Sequence, residues 1–160
     1  MAGTTASEIN DLFLMRISDY RLDEIFTTSG SAAFTLYLEP WLLSSIVEFE
    51  PICNQSLAYT ISGATEGQFT ETLTLENKVM LSKLMTLYWL EQQVKMVLQF
   101  GLFLSDHDYK TASAAQNLSA KKSLYNETRE DVNQSMIQYE YRYNDWQNWI
   151  LQNYASGSAS

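Results

Sequence analysis

The 160-residue chain reads as a mainly α-helical protein. Its predicted fold is a four-helix bundle-like domain with a long C-terminal helix and a β-hairpin or extended loop around residues 55–73. Three observations predict this class. Apolar residues recur at three- and four-residue steps over most of the length, the period of one face of an α-helix. The last such pattern continues for about forty residues, or roughly 60 Å of helix. One stretch, NQSLAYTISGATEGQFTETL at residues 54–73, instead places β-branched and aromatic residues on either side of SGATEG, the pattern of a short hairpin. Hydrophobic residues make up 46% of the chain, enough for one domain with its own core at this length. That domain is expected over residues 1–154, with ASGSAS at 155–160 as a flexible tail.

The first helix is expected from Ser7 or Thr5, as caps, to about Phe26. Ile9, Leu12, Phe13, Ile17 and Tyr20 form its stripe, with Glu8 and Asp11 at its positive end. TTSGS at residues 27–31 then breaks the pattern. A second helix covers roughly Ala32 to Phe49 with Leu38, Leu42, Ile46 and Phe49 in line. Pro40 either begins this helix or kinks it, and Pro51 ends it.

A third helix is expected over about Leu75–Leu104. Met80, Leu84, Leu87, Leu90, Val94, Val97 and Gly101 make one continuous stripe, and Leu81, Met85, Tyr88, Trp89 and Met96 widen it. A helix apolar around so much of its circumference must be buried on more than one side. Leu84, Leu87, Tyr88, Trp89, Val94 and Val97 are therefore the expected core residues, or the contacts between copies of the chain. The fourth helix, about Tyr109–Trp149, carries Leu118, Tyr125, Val132, Tyr139 and Trp146 seven apart. Lys122, Arg129, Met136, Tyr143 and Ile150 form a weaker second row. A rod of that length must project from a domain of this size.

The net charge of −9, from ten basic and nineteen acidic residues, argues against binding driven by phosphate neutralisation or an anionic membrane. The opening MAGTTASEIN lacks the charged and apolar regions of a signal peptide, and the single cysteine, Cys53, excludes an intrachain disulfide. Synthesis in a reducing cytoplasm is expected. The longest apolar segment is interrupted by Glu91, Gln92, Gln93 and Lys95, so no membrane span is expected.

Catalytic chemistry is not legible. The six glycines form no phosphate-binding loop, and the only histidine, His107, lies far in sequence from Cys53. Asp106, His107 and Asp108 are adjacent, a poor arrangement for one metal ion, and read as a polar helix junction capped by Asp108. No paired E-x-x-H motif for a di-iron centre is present. No enzyme activity, metal or cofactor is expected. The aromatic end YEYRYNDWQNWILQNY is a candidate partner surface made of Tyr139, Tyr141, Tyr143, Trp146, Trp149, Ile150 and Tyr154. Tyr139, Tyr143 and Trp146 follow the seam and equally suit the protein's own core.

The order INDLFLMRISDYRLDEI, EPWLLSSIVEFEPICNQSL, FTETLTLENKVMLSKLMTLYWLEQQV and SDHDYKTASAAQNLSAKKSLYNETREDVNQSMIQYEY resembles the head–tail connector (adaptor, or neck) proteins of tailed bacteriophages. The most specific part is the pair W-L-x-x-[AS]-I-x-x-F and L-T-x-x-x-x-x-[IM]-L-x-x-L-M-x-x-x-W-L, met here from Trp41 and from Leu73. TISGATEGQ departs from the acidic loop of that pattern. The resemblance implies a structural virion protein, without catalysis or cofactor. Such a protein forms a dodecameric ring beneath the portal protein and lengthens the DNA channel at the head–tail interface. Its implied partners are the portal, neighbouring copies, and a tail, stopper or further neck protein. Double-stranded DNA would pass through without specific binding, and about Gln138–Tyr154 would engage the portal. The competing reading from the residues alone is a soluble helical protein-binding module, a cytoplasmic regulator using its aromatic C-terminal helix.

Overall fold

The structure is a computed structural model and describes residues 3–17, 20–62, 65–103 and 111–143. Its elements are α1 (Ala6–Leu14), α2 (Tyr20–Phe49), β1 (Tyr59–Ser62), β2 (Thr65–Phe69), α3 (Leu75–Phe103) and α4 (Thr111–Tyr143). The predicted class stands: helices pack as a bundle, beside one antiparallel hairpin and a long last helix.

α1 starts where Glu8 Oε1 accepts the backbone N–H of Thr5 at 3.2 Å, which satisfies one of the orphan donors of the first turn. The helix ends at Leu14, well before the expected Phe26. Arg16 N–H bonds the Phe13 carbonyl at 2.9 Å and its Nε donates to Ser82 Oγ of α3 at 3.1 Å. That turn redirects the chain so that α2 can bring Leu22 into the core.

α2 is divided at Gly30, whose φ of 76° and ψ of 168° are open to glycine and costly for any other residue. The expected break in TTSGS is therefore real, although both flanks are helical. The helix then runs through Pro40 without starting there. Pro40 has no N–H to offer the carbonyl of Leu36, but both residues are exposed, so water can supply the missing donor. Phe34, Leu38, Leu42, Ile46 and Phe49 form the buried face.

β1 and β2 pair with Tyr59 opposite Phe69 and Thr60 opposite Gln68, and the register is irregular between Thr60 and Ser62. The N-terminal strand-like residues add to this edge: Phe69 N–H bonds the Thr4 carbonyl at 2.8 Å. The Thr4 hydroxyl also accepts the Leu73 N–H at 2.8 Å. The hairpin thus ties the start of the chain to the start of α3.

Along α3, no residue from Asn77 to Glu91 is exposed. Leu81, Leu84 and Met85 are fully buried, and Leu87 and Leu90 nearly so; Tyr88 and Trp89 are half-buried. α1, α2 and α4 supply the cover for this segment within the chain. Val94 and Val97, further along, are half-buried, and Leu98 is exposed.

α4 runs back antiparallel to α3. Lys121 Nζ reaches Gln93 at 3.4 Å near one end, and Lys83 Nζ reaches Asp131 and Ser135 at 2.8 Å each further along. The seven-residue seam is observed: Val132 and Tyr139 are buried, and Leu118 and Tyr125 are half-buried. The second row is not the expected one. Lys122, Arg129 and Tyr143 are exposed, and the half-buried positions beside the seam are Lys121, Thr128 and Ser135, together with Met136 and Glu140. These polar side chains fill the seam because each reaches a partner or the surface; Lys121 and Ser135 meet Gln93 and Lys83. Replacing Gly30 by alanine is expected to lower stability by about 1–3 kcal/mol. Urea unfolding of the two proteins measures this, and an unchanged midpoint would mean that the break is not held at Gly30.

Candidate functional site

The chemistry-bearing residues gather around Tyr139, where α4 crosses the loop after α2. Tyr139 is only 2% exposed. Its ring packs edge-on against Phe49, with centroids 4.9 Å apart, and tilts against Tyr143 at 4.6 Å. Its hydroxyl accepts the backbone N–H of Asn54 at 3.1 Å and lies 2.5 Å from Asn54 Oδ1 and 2.7 Å from Asn77 Oδ1. Cys53 Sγ lies 3.8 Å away. Asn77, itself buried, donates from Nδ2 to Gln55 Oε1 at 2.7 Å and to Asn54 Oδ1 at 3.2 Å. Gln55 Oε1 also accepts the Thr74 N–H at 2.8 Å, at the start of α3.

This is a closed set of donors and acceptors joining three segments distant in sequence. Burial pushes the Tyr139 phenol well above its ordinary range, against a smaller opposing effect of the Asn54 N–H, with Cys53 and Tyr143 adding to the rise. The hydroxyl is thus kept neutral and serves as a junction. It is no nucleophile or base at neutral pH.

Past Tyr139 the faces of α4 differ in exposure. Tyr141 is 71% exposed. Tyr143 is exposed and donates to Glu76 Oε2 at 2.7 Å, while Arg142 bonds Glu76 Oε1. Of the expected partner surface, Tyr139 therefore requires correction: its side chain belongs to the core, since its ring and hydroxyl are both satisfied inside the protein. Tyr141 has the exposure a docking residue needs, and Tyr143 is accessible at its edge. Trp146, Trp149, Ile150 and Tyr154 lie outside the described residues, as do Asp106, His107 and Asp108.

Two surface depressions complete the picture. One, of about 340 Å³, lies between the end of α1 and the α3–α4 pair, lined by Arg16, Lys83, Thr86, Leu124, Glu127 and Asp131 among others. Its two cations face two carboxylates, so it holds no net charge for a ligand. The other, of about 390 Å³, is a more apolar notch between Leu43, Ser44, Val47 and Glu48 of α2 and Tyr88 of α3. Tyr88 donates to Glu48 Oε2 there at 2.5 Å. The notch is not legible from the inner apolar row of α2, which accounts for a helix on its own.

Among the described residues no group of three or more His, Cys, Asp or Glu side chains is placed to hold a metal ion. No described helix is long and apolar enough to cross a membrane.

Tyr139→Phe is expected to cost about 1–3 kcal/mol, because the Asn54 N–H and the Asn77 amide lose a buried partner. The pH dependence has a definite sign. A phenol whose folded pKa is raised contributes stability below its unfolded value, near pH 10, and loses it as the pH rises through the folded value. Stability of the parent protein should fall above about pH 10, and Tyr139→Phe should fall less steeply. Equilibrium unfolding from pH 8 to 11 measures both, and parallel curves would contradict the assignment.

No protein-family model matches this chain, and neither a curated protein nor a solved structure matches it.

Proposed function

We propose that this chain is a structural head–tail connector of a tailed bacteriophage, a ring component that docks on the portal through the end of α4. The observation that carries the reading is the pairing, near the end of α4, of an aromatic residue fixed in the core with an exposed one on another face of the helix. At Tyr139 α4 is fastened to the core by a buried hydroxyl network. Two residues later Tyr141 stands 71% exposed, and a sequence dense in Tyr and Trp follows. A rigidly held helix that ends in accessible aromatic side chains is suited to presenting anchors to a partner, since such side chains bury much area with few rotatable bonds.

Two further features support it. The two stretches that carry the resemblance, Trp41 to Phe49 and Leu73 to Leu90, fall on α2 and on α3 with the two residues before it, and they include buried core positions suited to a bundle. The net charge of −9 suits a channel wall past which DNA moves, because like charges repel and few basic residues grip phosphate. The protein's place would be the head–tail interface of the virion, with the portal above and a tail or stopper protein below.

Electron microscopy of the chain mixed with the portal protein encoded by the same genome tests this. The control is truncation after Tyr143, which spares the Tyr139 junction. A ring stacked coaxially on the portal, absent for the truncated chain, is expected. Portal rings that stay bare at every concentration would overturn the reading.

A further inference from the structure

Charge is unevenly distributed along this chain. From Leu22 to Asn77 there is no lysine or arginine, and eight Asp and Glu residues give that segment a charge of −8. Eight of the ten basic residues lie between Lys78 and Arg142, where they outnumber seven acidic ones. The first segment builds most of α2 and the hairpin; the second builds most of α3 and α4. Nearly the whole net charge therefore sits on one part of the bundle.

The acidic part also carries an apolar face that nothing in the chain's described residues covers. Opposite the buried row of α2, Ala33, Leu36, Pro40, Leu43 and Val47 recur at steps of three and four. Leu43 is half-buried and the other four are exposed, Val47 at 72%. Leu43 and Val47 also border the notch against Tyr88. Exposed Glu50 continues this face, and Glu39 flanks it while accepting the Tyr59 hydroxyl at 3.1 Å. A helix with two opposed apolar faces is one that packs on both.

A complementary face lies on α4. Lys122, Asn126, Arg129, Asn133 and Ile137 follow one another at the same helical steps, and all are exposed. Neither Lys122 nor Arg129 has an ion-pair partner among the described residues. At about 1.5 Å per residue, both faces run roughly 20 Å. They are matched in length, each has an apolar component, and exposed Glu50 on the first is opposite in charge to Lys122 and Arg129 on the second.

We infer that a second copy of this chain seats the Lys122–Ile137 face of its α4 on the Leu36–Glu50 face of α2. Burial of Leu36, Leu43, Val47 and Ile137 supplies the attraction. The charges choose the partner face and penalise pairing of α2 with α2, where carboxylates would meet. The closed ring rests on the connector reading above; the contact itself does not. Two different faces of one chain meeting in this way make a head-to-tail contact, the kind from which closed rings are built.

The test is a reciprocal charge reversal on the full chain, followed by sedimentation at low ionic strength. One variant carries Val47→Lys and Glu50→Lys, and the other Lys122→Glu and Arg129→Glu. All four positions are exposed, so both variants should fold, which thermal melting verifies. The parent chain is expected to associate and each variant alone to do so at least about tenfold more weakly. An equimolar mixture of the two should associate again, because each then offers the charge the other needs. About 1 M salt should weaken parental association, since charges are then screened beyond about 3 Å. A parent that stays at 18.4 kDa to about 1 mM, or variants that associate undiminished, would overturn the contact, as would a mixture that shows no rescue. Association with this pattern but no portal complex would remove the connector reading and keep the contact. A portal complex without reciprocal rescue would do the reverse.

Discussion

The structure depends on enclosing the middle of α3. From Asn77 to Glu91 this helix has no exposed residue, because α1, α2 and α4 all lie against it. Each fully buried leucine or methionine there is worth about 1.5–3 kcal/mol, which makes the enclosure the main source of cohesion. The enclosure also imposes a condition on the polar residues it includes, because a buried donor or acceptor without a partner costs about 1–3 kcal/mol. Asn77 is met by Asn54, Gln55 and Tyr139, and Ser82 accepts from Arg16 while donating to the Val79 carbonyl. Thr86 donates to the Ser82 carbonyl within the helix. These polar positions fix which segment sits at which side of α3, where leucine alone would permit sliding.

That arrangement explains why α4 is held where it is. Its seam is apolar in one row only, with Lys121, Thr128 and Ser135 in the other. Hydrophobic burial alone would hold such a helix loosely. The Tyr139 hydroxyl and the Lys83 contacts to Asp131 and Ser135 pin it near its end. The same division of labour appears in α2, whose inner row stabilises the bundle and whose outer row faces solvent.

Long regular patterns were legible in the sequence. The extent of α3, the seven-residue row of α4 and the hairpin near SGATEG could be read because apolar periodicity and turn residues are local signals. The break near Gly30 was legible for the same reason. The early end of α1 was not, since Ile17 and Tyr20 keep the helical step of Ile9 and Phe13 across a turn. Just past that end Arg16 bonds Ser82, a residue distant in sequence. Tyr139 was ambiguous because an aromatic residue on a seam suits a core or an interface equally. Its place was decided by Asn54 and Asn77, which are distant in sequence. The outer row of α2 went unread because the inner row accounts for a helix on its own.

The proposed connector role puts this protein in the virion, at the junction of head and tail. Quantitative mass spectrometry of purified particles, with the portal protein as internal standard, addresses it directly. A connector is expected at a fixed ratio to the portal subunit in full particles. Its absence from particles, with the protein abundant in the infected cell, would contradict the proposed role.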